Sequence, residues 1–348
     1  MDTWKHGFAD VGGVRLHTVE MGEGPLVILV HGFPELWYSW RYQIPAIAEQ
    51  GYRVVAIDQR GYGLSSKFWQ TDCYRLRFLV ADLVGLVRAL GEKTAILIGH
   101  DWGAPVVWTA AWQHPEIFTG VLGMSVPFSG RGQIALPGNP FGELPPHEIH
   151  SRISGPDLDF YQVYFSGLSD IIDEIEADVS GWVRDLTWSV SGDAMIAAGF
   201  SLEGADPIEL IRGGALCLPR GARLRDRFAV PTAMPHWFTE DDLKVFVDAL
   251  HGSGVSGPLS FYHNLENNWH DLAPLAGRPL TSPAMFLGGE FDVATWWGAE
   301  AIDRASEHMP NWMGSTVLRG AGHWIQQEKA EETNAVVVDF LRRLRPGA

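Results

Sequence analysis

Apolar and polar residues in the first third of the chain follow two patterns in turn. Short runs that are almost wholly apolar are typical of buried strands, whereas apolar residues at helical intervals are typical of helices. The predicted strands are Leu26–Val30, Arg53–Ile57, 94–98 and Phe118–Met124, and the predicted helices are 39–48, 76–90 and 103–113. A hairpin is predicted before them, around Gly12 and Gly13. Strands that alternate with helices predict a parallel sheet with helices on both faces.

This alternation stops after residue 126. Residues 127–150 are rich in proline and glycine, and residues 157–275 contain helical stretches but no convincing buried strand. Thr239 and Asp242 have capping-box spacing and predict the start of one of these helices. Strands are predicted again at 284–288 and 315–318, and helices at 297–307 and 328–344. The chain is therefore predicted to be an α/β core, 1–128 and 277–348, interrupted by a helical cap at 129–276.

Composition narrows the classes of partner. The net charge of −16 argues against nucleic acid or an anionic membrane surface, and no apolar run approaches the ~20 residues of a membrane span. The histidines lack metal-site spacing, so neither a metal nor a cofactor is expected. Two cysteines and an N-terminus without a signal-peptide pattern favour a cytoplasmic setting. The 15 tryptophans suit an apolar small-molecule pocket, and both a monomer and a homodimer stay open.

The clearest chemistry follows the predicted strand at 94–98. The sequence Gly-His-Asp-Trp-Gly at 99–103 has the small residues that a sharp strand-to-helix turn needs on either side of a nucleophile. The predicted nucleophile is Asp101, at a position where such turns more often carry serine. A carboxylate is already ionised at neutral pH, with a reference pKa of ~3.9, and needs no base for its attack. Attack on a saturated carbon gives an ester that water can cleave, so an epoxide or an alkyl halide is the expected electrophile.

A base and an acid that orients it are expected later in the chain. His323, in Gly-Ala-Gly-His-Trp at 320–324, follows the last predicted strand and is the predicted base. Its competitor His308 lies within a helical stretch. Asp292, which follows the strand at 284–288, is the predicted acid, and its neighbour Glu290 is less favoured. Some proteins in which nucleophile, acid and base follow one another along the chain carry the acid after the preceding core strand instead. Residues 120–130, which include the end of that strand here and the residues after it, hold no carboxylate.

The segment His-Gly-Phe-Pro at 31–34 is expected to complete the site. The backbone N–H groups of Phe33 and Trp102 are predicted to form an oxyanion hole, and the Phe33–Pro34 peptide bond is a candidate for the cis form. The predicted substrate-binding residues are Phe33, Pro34, Trp37, Trp102 and Trp324. For Trp37 and Trp324, as for Trp40 and Trp269, packing in the core is an equal alternative.

Four motifs together resemble those of soluble epoxide hydrolases of the α/β-hydrolase superfamily. They are His-Gly-Phe-Pro-Glu at 31–35, Asp-Gln-Arg-Gly-Tyr-Gly at 58–63, Gly-His-Asp-Trp-Gly at 99–103 and Gly-His-Trp at 322–324. The resemblance covers essentially the whole chain, the cap included. It implies the α/β-hydrolase fold, with a mostly parallel eight-stranded sheet and an inserted helical cap. It also implies cofactor-independent hydrolysis of a small hydrophobic epoxide to a vicinal diol.

Two cap tyrosines extend this resemblance. Tyr161, in Asp-Phe-Tyr-Gln-Val-Tyr-Phe at 159–165, and Tyr262, at the end of Gly-Pro-Leu-Ser-Phe-Tyr at 257–262, resemble the family's pair that holds and protonates the epoxide oxygen. Tyr164 is expected to pack. A haloalkane or haloacid dehalogenase would use the same Asp101 and His323, but halide leaves without a proton. A non-catalytic ligand-binding receptor on a hydrolase scaffold is the alternative of another class.

Overall fold

The first part of the chain forms an N-terminal hairpin and then alternating strands and helices. A computed structural model describes residues 4–201, 204 and 206–345. The hairpin is β1 (Lys5–Asp10) and β2 (Arg15–Met21), paired antiparallel. The next elements are β3 (Leu26–Val30), α1 (Gln43–Ala48), β4 (Arg53–Ile57), α2 (Leu76–Ala89), β5 (Ala95–His100), α3 (Gly103–Gln113) and β6 (Phe118–Met124). The strands therefore lie where the apolar runs predict them.

The segment that follows β6 is mainly helical. Its helices are α4 (Pro146–Ser154), α5 (Tyr161–Ser166), α6 (Ser169–Ala177), α7 (Val179–Ser189), α8 (Gly192–Ala197), α9 (Pro207–Gly213), α10 (Glu240–Ser253), α11 (Ser256–His263) and α12 (Leu265–Asp271). The capping box of Thr239 and Asp242 opens α10, as predicted. Two short strands, β7 (Leu158–Phe160) and β8 (Cys217–Pro219), also pair antiparallel. These two strands, each three residues long and only partly buried, are not predicted, because strands this short show no sequence pattern of their own.

The last part of the chain completes the sheet. Its elements are β9 (Ala284–Gly289), α13 (Val293–Trp297), α14 (Ala299–Asp303), α15 (Ala305–His308), β10 (Trp312–Leu318), α16 (Ile325–Glu328) and α17 (Ala330–Arg343). The region predicted as one helix, 297–307, thus contains several short helices. The last predicted helix, 328–344, corresponds to α17, and the short helix α16 precedes it. Short 3₁₀ turns occur at Trp37–Trp40, Thr71–Tyr74, Gly130–Gly132, Leu224–Arg227 and Ala273–Leu275.

All the larger strands belong to one sheet. It has eight strands in the order β1-β2-β4-β3-β5-β6-β9-β10. Neighbouring strands from β4 to β10 run parallel, and β1 and β2 add antiparallel pairs at one edge. The mainly helical segment enters between β6 and β9, which are neighbours. The carboxyl ends of β3, β5, β6, β9 and β10 therefore lie side by side at one end of the parallel strands, directly under the mainly helical segment.

Helices cover both faces of the sheet, as predicted. Along β3, Ile28 packs into an apolar cluster with Leu83 of α2 and Val107 of α3. On the opposite face, Val27 packs into a second cluster with Phe340 of α17. Both clusters are buried, so the central strands are apolar along their whole length. No helix in the described part of the chain is long and apolar enough to cross a membrane.

Candidate active site

Asp101 lies in a strained turn between β5 and α3. Its φ is 48°, in the left-handed region that residues with a side chain rarely adopt. The turn is also too tight for side chains on either side of it. A Cβ on Gly99 would lie 2.4 Å from the carbonyl oxygen of Gly103, and a Cβ on Gly103 would lie 2.0 Å from that of Val30. The glycines let the backbone turn sharply enough to place the Asp101 carboxylate at the edge of the sheet.

One oxygen of this carboxylate accepts a backbone hydrogen bond. The N–H of Phe33 donates to Oδ1 of Asp101 at 2.6 Å, and the N–H of Trp102 also lies close enough to the carboxylate to lower its pKa. The Phe33–Pro34 peptide bond is cis. Burial raises the pKa of Asp101, and the nearby His323 and the two N–H donors oppose this effect. The arrangement brings together the two donors that the sequence predicts for an oxyanion hole.

His323 lies between Asp101 and Asp292. Its Nδ1 is 3.1 Å from Oδ1 of Asp292, and its Nε2 is 3.6 Å from Oδ2 of Asp101. Asp292 is fully buried. The N–H of Ala294 and the hydroxyl of Thr295 each donate to its carboxylate at 3.2 Å. The structure therefore places the predicted nucleophile, base and acid in one chain of contacts.

The less favoured candidates lie elsewhere. Glu290 accepts a hydrogen bond from the N–H of Gly320 at 2.8 Å rather than contacting His323. His308 packs against the ring of Phe141, with 3.8 Å between the ring centroids.

The charges around His323 decide its protonation state. Burial lowers the pKa of His323, but the negative charges of Asp292 and Asp101 outweigh this effect and raise it to about 9. Near neutral pH the imidazole is therefore protonated and forms an ion pair with Asp101. Loss of the charge on Asp101 would lower the pKa of His323.

The hydroxyls of two tyrosines from the inserted segment face Asp101. Tyr161 begins α5 and Tyr262 lies in α11, and their ring centroids are 6.1 Å apart. Burial and the charge of Asp101 both raise their pKa values well above the usual range, so both stay protonated. Tyr164 faces away from Asp101, and its hydroxyl donates to Glu174 at 2.8 Å. The structure thus brings Tyr161 and Tyr262, but not Tyr164, to the nucleophile.

Asp101 opens on two cavities. The larger, about 60 Å³, is lined by Asp101, His323, both tyrosines, Phe33, Trp324 and the apolar side chains of Val126, Ile134, Phe165, Leu186, Val190, Leu216, Leu224, Val293, Ala294 and Trp297. The smaller, about 20 Å³, is lined by Asp101, Trp102, Pro105, Val126, Gln133, Ile134, Tyr161, Gln162 and Leu265. Apart from the catalytic candidates the larger cavity is apolar, which suits a hydrophobic ligand.

Two predicted substrate-binding residues require correction, because Pro34 and Trp37 line neither cavity. Pro34 is buried in the turn that follows β3. Trp37 begins a 3₁₀ turn, and its ring packs against Trp4, the residue before β1, with 5.2 Å between the ring centroids. Trp40 is buried in the core, and Trp269 donates to the carbonyl oxygen of Gly142. Phe33, Trp102 and Trp324 do reach the cavities.

Sequence reasoning missed several residues of the site. Ser125, after β6, has its Oγ 3.1 Å from Nδ1 of His323. Its place at the end of a core strand is the signal that could have found it. Gln162, buried beside Tyr161, donates from Nε2 to the Tyr161 hydroxyl oxygen at 3.2 Å. Trp297 contributes a wall of the larger cavity, with no motif to mark it. Among residues 4–201, 204 and 206–345, no cluster of histidine, cysteine and carboxylate side chains could hold a metal ion.

Known proteins resemble this chain in sequence and in structure. A family model described as the alpha/beta hydrolase fold matches residues 25–140. Epoxide hydrolase B of Mycobacterium tuberculosis is 54% identical, over 98% of this chain and 99% of the relative. The structure of an epoxide hydrolase from an endophytic Streptomyces is 42% identical with a TM-score of 0.89, covering 99% of this chain and 97% of the other. Epoxide hydrolase A from Mycobacterium thermoresistibile is 37% identical with a TM-score of 0.85, covering 98% of each chain.

Proposed function

The chain belongs to the epoxide hydrolases of the α/β-hydrolase fold, and on this premise we propose that its reaction proceeds through an ester on Asp101. The reaction of the family adds water to an epoxide and gives a vicinal diol. One observation carries the proposal: the Asp101 carboxylate and the hydroxyls of Tyr161 and Tyr262 face the same apolar cavity. A nucleophile and two proton donors in that arrangement fit a strained ring whose oxygen must be protonated as it opens.

In the first step Oδ2 of Asp101 attacks an epoxide carbon. The carbon–oxygen bond of the ring breaks, and its electron pair moves to the ring oxygen. Tyr161 and Tyr262 donate hydrogen bonds to that oxygen, and one of them transfers its proton. Because both phenols stay protonated at neutral pH, the donors are ready before the substrate binds. The product of this step is a hydroxyalkyl ester of Asp101.

In the second step His323 removes a proton from water, which attacks the carbonyl carbon of the ester. The negative charge that develops on Oδ1 is stabilised by the N–H groups of Phe33 and Trp102. Collapse of this intermediate breaks the acyl–oxygen bond, releases the diol and restores Asp101. One proton of water ends on the diol oxygen that leaves Asp101, and the other returns His323 to its protonated resting state, after His323 has given its first proton to the tyrosine.

The charge on Asp101 also sets the timing of the base. In the resting site His323 is held protonated by Asp292 and Asp101. Esterification removes the charge of Asp101, so the pKa of His323 falls and the imidazolium gives its proton to the phenolate left by ring opening. The neutral imidazole can then accept a proton from water. His323 thus becomes a base only after the ester has formed.

We further propose that residues 129–276 act as a cap that closes over the core, 1–128 and 277–348, and supplies both tyrosines. The apolar cavity favours a small hydrophobic epoxide, with water as the second substrate.

The direct test is an assay of the purified protein with styrene oxide, 1,2-epoxyoctane and 1-bromobutane, in which diol and bromide are measured separately. Diol from the epoxides without bromide release is the expected result. Bromide release without diol formation would show a dehalogenase, and neither product with tight binding of the epoxides would favour a receptor.

A further inference from the structure

Glu328 is a buried carboxylate that the two steps above do not use. It ends α16, and 8% of its surface is exposed. Its Oε2 accepts the backbone N–H groups of Gly322 and Gly192, each at 2.8 Å, and its Oε1 accepts the N–H of Trp324 at 2.9 Å. Two of these donors are the immediate neighbours of His323 in the chain. The third belongs to the segment inserted between β6 and β9.

Other hydrogen bonds join the same two segments. The backbone N–H of His323 donates to the carbonyl oxygen of Val190 at 2.9 Å. The indole N–H of Trp324 donates to the carbonyl oxygen of Thr187 at 2.8 Å. The loop that carries His323 is therefore attached to the end of α7 through His323 itself and through its neighbour Trp324, and Val190 also lines the larger cavity.

The two backbones touch where Glu328 binds them. A Cβ on Gly322 would lie 2.2 Å from the backbone nitrogen of Gly192, and a Cβ on Gly192 would lie 2.1 Å from the carbonyl oxygen of Gly320. Only glycine allows this approach at either position. The close approach lets one oxygen of Glu328 accept N–H groups from both segments.

Burial of this carboxylate has an energetic cost. Burial raises the pKa of Glu328 to about 7, although the three N–H donors oppose the effect. A buried carboxylate whose charged form is disfavoured by its surroundings is weak evidence that the group stabilises the fold. Groups with strongly shifted pKa values occur more often at functional sites.

We infer that Glu328 is a positioning residue for His323, because it clamps the His323 loop to residues 190–192 and so holds Nε2 opposite the Asp101 ester. The inference rests on the role proposed above for His323 in ester hydrolysis. A displacement of about 1 Å in a reacting group can cost roughly 10²-fold in rate. Ring opening by Asp101 and the tyrosines does not need His323, so Glu328 should matter for the second step alone.

The test separates the two steps with styrene oxide under single-turnover conditions. Quenched samples of the wild type and of Glu328→Gln are analysed by mass spectrometry for free protein and ester. The amide keeps the size of the side chain but presents an NH₂ group to one of the three backbone donors. We expect hydrolysis of the ester to slow at least roughly tenfold, equivalent to about 1.4 kcal/mol, while ester formation changes less than threefold. The ester should therefore accumulate during turnover.

Asp82→Asn is the matched control. Asp82 is also a buried carboxylate, but it pairs with Arg60 at 2.6 Å and has no bond to the His323 loop. This variant should unfold at a lower temperature than the wild type and keep the wild-type ratio of the two rates. If Glu328→Gln does not fold, Glu328→Asp, which keeps the charge on a shorter side chain, takes its place.

Two outcomes overturn the inference. One is equal slowing of both steps in the Glu328 variant, which would show a general loss of structure. The other is an unchanged rate of ester hydrolysis. A wild-type protein that forms no diol at all would instead overturn the proposed function, so the two failures are distinguishable.

Discussion

The backbone N–H of Phe33 donates to Oδ1 of Asp101, and this leaves Oδ2 as the oxygen that faces His323. The two oxygens of one carboxylate therefore have different surroundings. Oδ2 is free to attack a carbon atom, whereas Oδ1 already lies where negative charge will develop when water attacks the ester. This division makes the origin of each product oxygen predictable.

A single turnover in H₂¹⁸O should leave the label on the enzyme. One oxygen of the diol comes from the epoxide and the other from Oδ2 of Asp101, so the first diol released carries none. Mass spectrometry of the diol, and of the peptide that contains Asp101, measures both. Label in the first diol would indicate direct attack of water on the epoxide. Wild-type protein kept in H₂¹⁸O without epoxide controls for exchange, since its Asp101 peptide should take up no label.

Replacing His323 with glutamine should trap the ester. Ring opening needs no base, so Asp101 should still be alkylated, while loss of the general base should slow ester hydrolysis by roughly 10²–10⁴-fold. The measurement is the mass of the intact protein after incubation with styrene oxide, which should increase by one epoxide. Absence of that adduct in a folded variant contradicts the two-step mechanism.

The rate of ester hydrolysis should rise with pH. Only the neutral imidazole of His323 can accept a proton, and its pKa in the resting site is raised to about 9 by Asp292 and Asp101. The rise should lie below this value, because the ester has no charge on Asp101. In Asp292→Asn the strongest remaining negative neighbour is also lost, so the rise should move to still lower pH while the plateau falls. Rapid-quench measurements across the pH range test both shifts, and a rise that moves to higher pH contradicts the assignment of Asp292.

Removal of the tyrosine hydroxyls should slow formation of the ester. Phenylalanine at both Tyr161 and Tyr262 should reduce its rate by roughly 10²–10⁴-fold, the usual contribution of a general acid, and each single change should have a smaller effect. Tyr164→Phe is the control, because that hydroxyl bonds to Glu174 outside the cavity. Full activity in the double variant would mean that the leaving group needs no proton, as in a dehalogenase.

Gln162 should act through Tyr161. Its amide N–H binds the Tyr161 oxygen, which leaves the phenol proton free to point at the substrate. Gln162→Leu removes a bond worth about 1 kcal/mol and should slow ester formation by roughly fivefold. In a Tyr161→Phe background the same change should have no further effect. Equal slowing in both backgrounds would indicate that Gln162 acts through packing alone. Gln43→Leu, at a buried amide beside Gln326 and Asn334, is the control for the loss of a buried amide.

The core of the site could be predicted because each residue directly follows a strand. Asp101 follows β5, Asp292 follows β9 and His323 lies in the loop after β10. Adjacent strands are about 4.8 Å apart, so residues at their carboxyl ends cannot be far from one another. Local sequence thus determines both the turn and the position of each side chain.

The surroundings of the site could not be predicted, because they depend on packing between distant segments. Leu216 and Trp297 line the same cavity although they are far apart in the chain. Trp37 lies next to a motif in sequence, yet it packs against Trp4 of the N-terminal segment. Glu328 joins the His323 loop to Gly192, and no local sequence pattern connects these two residues.

The position of the inserted segment has a consequence for how such enzymes can change. Val121 of β6 pairs with Ala284 of β9, so the inserted segment leaves and rejoins the sheet on neighbouring strands. Insertions with neighbouring ends are tolerated without disturbing the structure that holds them. In the proposed mechanism the core carries the groups that make and cleave the ester, while the insertion carries both proton donors and half of the residues that line the larger cavity. Replacement of that one segment would therefore change the electrophile that the enzyme accepts, while the residues that form and hydrolyse the ester stay the same.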